Sequence, residues 1–215
     1  MHSMSREQVM SKIQEGVLHN DTLDKNPFEL FDEWYKEAEA SELNDPDAMA
    51  IASVDKNGMP SVRIVLLKQW SQAGFIFFTN YTGRKGQELI ATKKAAACLH
   101  WKSLRRQVRI VGDVDKISPS MSDAYFATRA RGSQIGAWAS NQSQPLKTRA
   151  ELSRTVDEYE KKFEGETVAR PEHWGGFIIK PVEIEFWADG ASRLHDRFQL
   201  KQDAEGSWKS VRLNP

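Results

Sequence analysis

Apolar positions along this chain gather into short β-rich runs, separated by a few stretches of helical spacing. The first helical stretch opens at Asn26-Pro27-Phe28-Glu29, where Asn26 can cap free amides and Pro27 suits the first helical position. Behind it, Phe28, Phe31, Tyr35 and Ala38 recur at helical spacing and predict a core-facing side. Met49–Val54 and Ser61–Leu67 are predicted strands, joined as a hairpin through Asp55-Lys56-Asn57-Gly58-Met59-Pro60. Further strands are predicted at Gly74–Thr79, Ala95–Trp101, Arg106–Lys116, Gly176–Trp187, Arg193–Lys201 and Ser207–Leu213. Three more helices interrupt them: Gly83–Lys93, one capped by Ser118 with Pro119 behind it, and Pro145–Phe163 with Leu152, Val156, Tyr159 and Phe163 as its buried stripe. The spacing of the strands predicts a mainly β fold with flanking helices, closed as an antiparallel barrel. Residues 1–25 are polar and weakly periodic and read as an arm; residues 26–215 read as one domain.

Composition narrows the function classes. The 215 residues are 40% hydrophobic, enough for one core, and 30 Lys and Arg balance 30 Asp and Glu to a formal net charge of +0. That balance argues against a nucleic-acid or membrane-surface binder, so any anion must be caught by local placement. The single cysteine, Cys98, excludes an intramolecular disulfide, fits a reducing compartment and lies in an apolar run as a buried thiol. No window approaches ~18 uninterrupted apolar residues, and the amino terminus is too polar for a secretory signal, so a cytoplasmic protein is expected. The five histidines form no close pair and Cys-x-x-Cys is absent, which argues against a metal site. Glycine-rich nucleotide motifs are absent too, leaving side chains and helix ends to hold any phosphate.

Several groups of residues could carry chemistry. On an extended strand Arg193, His195 and Arg197 would share one face, with Leu194 and Asp196 on the other, and three cations so placed call for solvent or an anion. Arg63 stands inside an apolar strand that should be buried, so it needs a carboxylate or an anionic ligand; Lys68, five positions on, would face the other way. Arg84 and Lys85 sit where a helix begins, wrong for the macrodipole but right for a phosphate, unless both are simply solvated. Tyr125, Arg129 and Ser133 recur at intervals of four and would offer a guanidinium between two hydroxyls on one helical side. Trp138, Trp174 and Trp187 stand near polar donors and could flank a planar ring. The cations exceed what one phosphate needs, and two phosphorylated ligands would account for the surplus.

Arg63-Ile64-Val65-Leu66-Leu67-Lys68, Ser133-Gln134-Ile135-Gly136-Ala137-Trp138, Trp174-Gly175-Gly176-Phe177, Glu185-Phe186-Trp187 and Arg193-Leu194-His195-Asp196-Arg197 occur in that order. From about Asn26 to Pro215 the chain thereby resembles the pyridoxine (pyridoxamine) 5'-phosphate oxidase family. The resemblance implies a homodimeric FMN-binding split β-barrel with FMN at the subunit interface. The activity implied is oxidation of pyridoxine 5'-phosphate and pyridoxamine 5'-phosphate to pyridoxal 5'-phosphate. A hydride passes from C4' to FMN N5, with oxygen as acceptor giving hydrogen peroxide. It assigns Arg63, Arg84, Lys85, Gln142 and Ser143 to the FMN phosphate and ribityl region. Ile64, Val65, Leu66, Leu67, Lys68, Phe78, Thr79, Gln107, Trp187 and Arg197 would complete the flavin site. Lys68, Tyr125, Arg129 and Ser133 would hold the substrate phosphate, with Arg193, Leu194 and His195 at the pyridine ring and Arg193 and His195 as the catalytic pair. Family members commonly carry an Arg and a Tyr in an amino-terminal segment that closes over the site; Val9-Met10-Ser11-Lys12-Ile13-Gln14 has neither, and Phe78 stands where a Tyr is frequent. The competing readings are a split-barrel FMN oxidoreductase with another substrate and a noncatalytic binder of flavin or pyridoxal phosphate.

Overall fold

A computed structural model describes Leu18 and residues 25–215, so the Val9–Gln14 stretch of the predicted arm lies outside the described residues. Helix α1 (Pro27–Ser41) begins as its sequence predicts: Asn26 Oδ1 accepts from the Phe28 amide at 2.9 Å, and Pro27 occupies a position with no amide partner to lose. Its face of Phe28, Phe31, Trp34, Tyr35 and Ala38 is buried. Phe31 meets Phe75 edge-on, with ring centroids 5.0 Å apart.

Eight antiparallel strands follow: β1 (Ala48–Val54), β2 (Pro60–Ser71), β3 (Gly74–Asn80), β4 (Lys94–Trp101), β5 (Arg106–Lys116), β6 (Trp174–Ala188), β7 (Asp196–Gln202) and β8 (Trp208–Arg212). Neighbours run β3-β2-β1-β4-β5-β6-β7-β8, and β6 also pairs with β3, which closes the first six into a barrel. Strand β6 manages this by its length of 15 residues, its beginning pairing with β3, its end with β7, and most of its length with β5. The barrel is filled by Met49, Ile51, Leu67, Phe77, Leu99, Ile110, Phe177 and Ile184, among others. The β1–β2 turn follows its composition: Gly58 takes φ +84, and Asp55 Oδ1 accepts from the amides of Asn57 and Met59.

Four further helices flank the barrel: α2 (Arg84–Thr92), α3 (Pro119–Thr128), α4 (Arg131–Ala139) and α5 (Arg149–Lys162). Helix α5 starts four residues later than the pattern predicts, because Thr148 caps it by accepting from the Glu151 amide. Its stripe is buried only at Phe163; Leu152, Val156 and Tyr159 are half-buried. Among the described residues no helix is long and apolar enough to cross a membrane.

Three expectations need correction. Strand β2 is buried on one face only: Val65 and Leu67 point in, whereas Val62 and Ile64 are 68% and 63% exposed. Val62 with Ala50, Ala52, Ala96, Cys98 and Val111 lines a shallow hollow of about 240 Å³ on the outer face, bordered by Arg109, Glu183 and Glu185, and Cys98 is half-buried in it. The predicted strand at Arg193 starts at Asp196, after a short 3-10 turn over Ala191–Arg193. Ser192 and Arg193 take φ +56 and +66, so Arg193, His195 and Arg197 do not alternate along one extended face. The turn is tight: a Cβ on Gly190 would stand 1.9 Å from the Leu194 carbonyl oxygen. Finally, α3 ends at Thr128 and a separate helix carries Ser133, so Tyr125, Arg129 and Ser133 do not share one helical face.

Phe75 is fully buried against Phe28 and Phe31. Phe75→Ala should therefore cost about 3–5 kcal/mol in equilibrium urea unfolding, and a loss below ~1 kcal/mol would contradict the position of the core.

Candidate active site

Arg63, Arg84 and Lys85 gather near the start of α2, and one carboxylate organises the first two. Glu88, four residues after Arg84 on the inner side of α2, is 5% exposed. Its Oε2 accepts from Ser53 at 2.5 Å and Ser61 at 2.6 Å and lies 3.3 Å from Arg63 Nη2; its Oε1 accepts from Arg84 Nε at 2.7 Å. Burial works to raise the Glu88 pKa, but the hydrogen bonds from Ser53, Ser61, Arg84 and Arg63 outweigh it and pull it down to about 2. Arg63 thus has the carboxylate its burial demanded, and it also donates to Ser53 and Ser61.

Lys85 differs. Its Nζ donates to Thr79 Oγ1 at 2.9 Å and Gln142 Oε1 at 2.8 Å, both neutral. Burial and then the neighbouring Arg63 charge depress its pKa, the mark of an ammonium that lacks a counter-ion. Beside it, α2 begins at Gly83 with no side-chain cap, so the first amides are open to an anion. Ser143, in the adjoining turn, has φ +70. These residues fit a phosphate monoester.

A second cation stands beside a platform of stacked rings. Phe78 stacks on Tyr125 at 3.9 Å and on Trp174 at 5.4 Å, nearly parallel in both cases. The Arg129 guanidinium lies over the Trp174 ring, 4.6 Å from its centroid. Its Nη1 is buried without a hydrogen-bond partner, and burial lowers its pKa. Tyr125 and Arg129 thus meet across Trp174 although they share no helical face, while Ser133 is exposed on α4. Lys68, at a bulge in β2, pairs with Asp47 at 2.5 Å. The register shift between Leu67 and Gln69 falls at Lys68 itself, and Arg63 and Lys68 pair with different carboxylates, Glu88 and Asp47. Ile64 and Leu66 sit on the outer wall, Val65 and Leu67 in the core.

The remaining candidates form a third group. Gln107, Trp187 and Arg197 are direct neighbours across β5, β6 and β7. The anion facing Arg197 is Glu185, whose Oε1 accepts from Nε at 2.7 Å while also pairing with Arg109. His195 packs its ring on Trp187 with centroids 4.6 Å apart and faces Asp189. Leu194 is exposed, as is the turn at Arg193.

This third group lies far from the first two within one chain. Gly176 pairs with Phe78 at the start of β6, and Trp187 stands eleven residues further on. At about 3.3 Å per residue that is about 36 Å of strand. Glu88 and Asp189 were not among the residues singled out from sequence. Glu88 had a signal in its four-residue spacing from Arg84; Asp189 had none.

A closed six-stranded antiparallel barrel with flanking helices defines the class, a split β-barrel. Residues 35–163 match the family model described as pyridoxamine 5'-phosphate oxidase, and residues 174–215 match the pyridoxine 5'-phosphate oxidase C-terminal dimerisation region. The chain belongs to the pyridoxine/pyridoxamine 5'-phosphate oxidase family, whose members are oxidoreductases. It is 52% identical over 202 residues to the pyridoxine/pyridoxamine 5'-phosphate oxidase of Agrobacterium fabrum, covering 93% of this chain and 98% of that one. With the corresponding protein of Rhizobium etli it shares 54% over 190 residues, 88% of this chain and 92% of the relative. Among solved structures, PhzG of Burkholderia lata, bound to tetrahydrophenazine-1-carboxylic acid, is 30% identical with a TM-score of 0.86 over 93% of this chain and 98% of PhzG.

Glu88 generates a pH test. Its carboxyl is held below its ordinary value of 4.5, so its stabilisation is fully present above that value and is lost as pH falls toward 2. The difference in melting temperature between the flavin-free native protein and Glu88→Gln should be greatest above 4.5 and narrow on acidification toward 2; a constant difference would contradict the ionised, hydrogen-bonded Glu88.

Proposed function

We propose that the chain is a homodimeric, FMN-dependent oxidase that converts pyridoxine 5'-phosphate and pyridoxamine 5'-phosphate to pyridoxal 5'-phosphate. The observation that carries this reading is the pair of half-buried cations with no carboxylate partner among the described residues, Lys85 at the open start of α2 and Arg129, whose Nη1 is buried and unpaired, above Trp174. They would provide two phosphate sites, one beside Thr79 and Gln142 and one over Trp174. A split-barrel oxidoreductase for an unphosphorylated substrate, or a flavin carrier without turnover, leaves the free donor of Arg129 unused.

Lys85, Arg63, Arg84, Gln142 and Ser143 would hold the FMN phosphate and ribityl chain, with Thr79 and the backbone of β2 alongside. Gln107, Trp187 and Arg197 of the second protomer would complete that site. Tyr125, Arg129, Ser133 and Lys68 would hold the substrate phosphate, which sets the position of C4' before any bond changes. Bound there, the flavin supplies the hydride acceptor and passes the electrons to oxygen. Arg193 would orient the substrate and balance charge on its ring oxygen, and His195 would meet the C4' substituent at Nε2. The outer wall of Val62, Ile64 and Leu66 suits burial against the second copy.

Purified protein should show a flavin spectrum and form pyridoxal 5'-phosphate with oxygen consumption; a colourless protein that FMN cannot reconstitute would overturn the reading. Lys85→Ala should weaken FMN binding at least about tenfold, as expected for loss of a charged hydrogen bond, read by flavin fluorescence on dilution.

The two-protomer site is tested by mixing. Lys85→Ala and Arg197→Ala dimers should each be weak, but after subunit exchange each mixed dimer carries one intact site, restoring about a quarter of native activity. No recovery despite exchange would place the whole site within one chain.

A further inference from the structure

The loop after β6 is tied from two directions by Asp189. Its amide donates to the Arg105 carbonyl at 3.0 Å, and its Oδ2 pairs with the Arg105 guanidinium. The other carboxylate oxygen, Oδ1, lies 3.2 Å from Nδ1 of His195. The side chains of His195 and Asp189 are only 21% and 22% exposed. Trp187 supports the imidazole from below, and with His100, Lys102, Arg105 and Asp189 it lines a cavity of about 380 Å³.

The same Nδ1 is 3.1 Å from the Gly190 amide. One ring nitrogen cannot accept from an amide and donate to a carboxylate at once. Without its proton, Nδ1 would set a lone pair against the Asp189 charge. With it, the nitrogen faces that charge as a donor, at the cost of the hydrogen bond that the Gly190 amide donates to Nδ1 in this structure. If the full charge of the carboxylate outweighs the neutral amide, Nε2 is the unprotonated nitrogen of the neutral ring. Among the described residues Nε2 has no protein partner.

We propose that Asp189 is a positioning residue for His195: it fixes the Nδ1-protonated tautomer and leaves the Nε2 lone pair for the hydroxyl or amine hydrogen on the substrate C4' substituent. The proposal rests on the placing of His195 at the substrate given above. Arg105 acts through it, by holding the carboxylate from the β4–β5 turn.

The test uses flavin-loaded, 15N-histidine-labelled enzyme in native form and as Asp189→Ala, Asp189→Asn and His195→Ala. Long-range 1H–15N spectra should show neutral His195 protonated at Nδ1 in the native enzyme and at Nε2 in Asp189→Ala, where the Gly190 amide takes over Nδ1. Asp189→Ala should lose kcat about tenfold, with KM for pyridoxamine 5'-phosphate and flavin content held within about twofold. Asp189→Asn, which keeps an oxygen acceptor for Nδ1–H, should recover most of that loss. A native ring protonated at Nε2, or full turnover in Asp189→Ala while His195→Ala is impaired, overturns the proposal and leaves the site reading standing. Full turnover in His195→Ala overturns both.

Discussion

Pairing of β6 with β3, β5 and β7 is the constraint on which the rest of the molecule depends. A strand that must close a barrel at its start and support two more strands at its end has to be long. Its length then separates the residues it carries. Gly176 stands beside Phe78 and the first anion sites, and Trp187 stands at the far end beside Gln107 and Arg197. The two groups of candidate residues therefore stand at opposite ends of β6, and the exposed apolar wall of β2, β1 and β4 is the kind of surface that brings a second copy against the first.

The charged residues divide by the partners the fold gives them. Arg63, Arg84, Arg197 and Lys68 meet carboxylates at Glu88, Glu185 and Asp47. Lys85 meets only neutral oxygens, and one nitrogen of Arg129 meets nothing. A buried cation in that condition is costly unless a ligand answers it. The chain's formal charge of +0 conceals this, because local excess at two points is offset by carboxylates elsewhere.

Local signals in the chain were read well where local physics decides. The cap at Asn26, the turn through Gly58 and most strand limits depend on neighbours a few residues apart. Errors arose where long-range contacts take over. The stretch at Arg193 has the composition of a strand start, but the close approach of Gly190 to Leu194 turns it into a 3-10 turn with two left-handed residues. Tyr125, Arg129 and Ser133 have helical spacing, yet the helix stops at Thr128, and Trp174 rather than a shared face brings the first two together.

The sequence by itself determined the barrel class, the helix caps and the types of residue available to grip two phosphates, because periodicity and side-chain chemistry are local properties. It also carried the order of motifs that marks the family. Only the tertiary structure decided which cations are neutralised within the chain and which are left open. That outcome depends on carboxylates such as Glu88, Glu185 and Asp189 arriving from distant positions at hydrogen-bonding distance. It also decided which candidate residues stand together and which stand at opposite ends of β6, since strand register sets distances that spacing along a sequence does not encode.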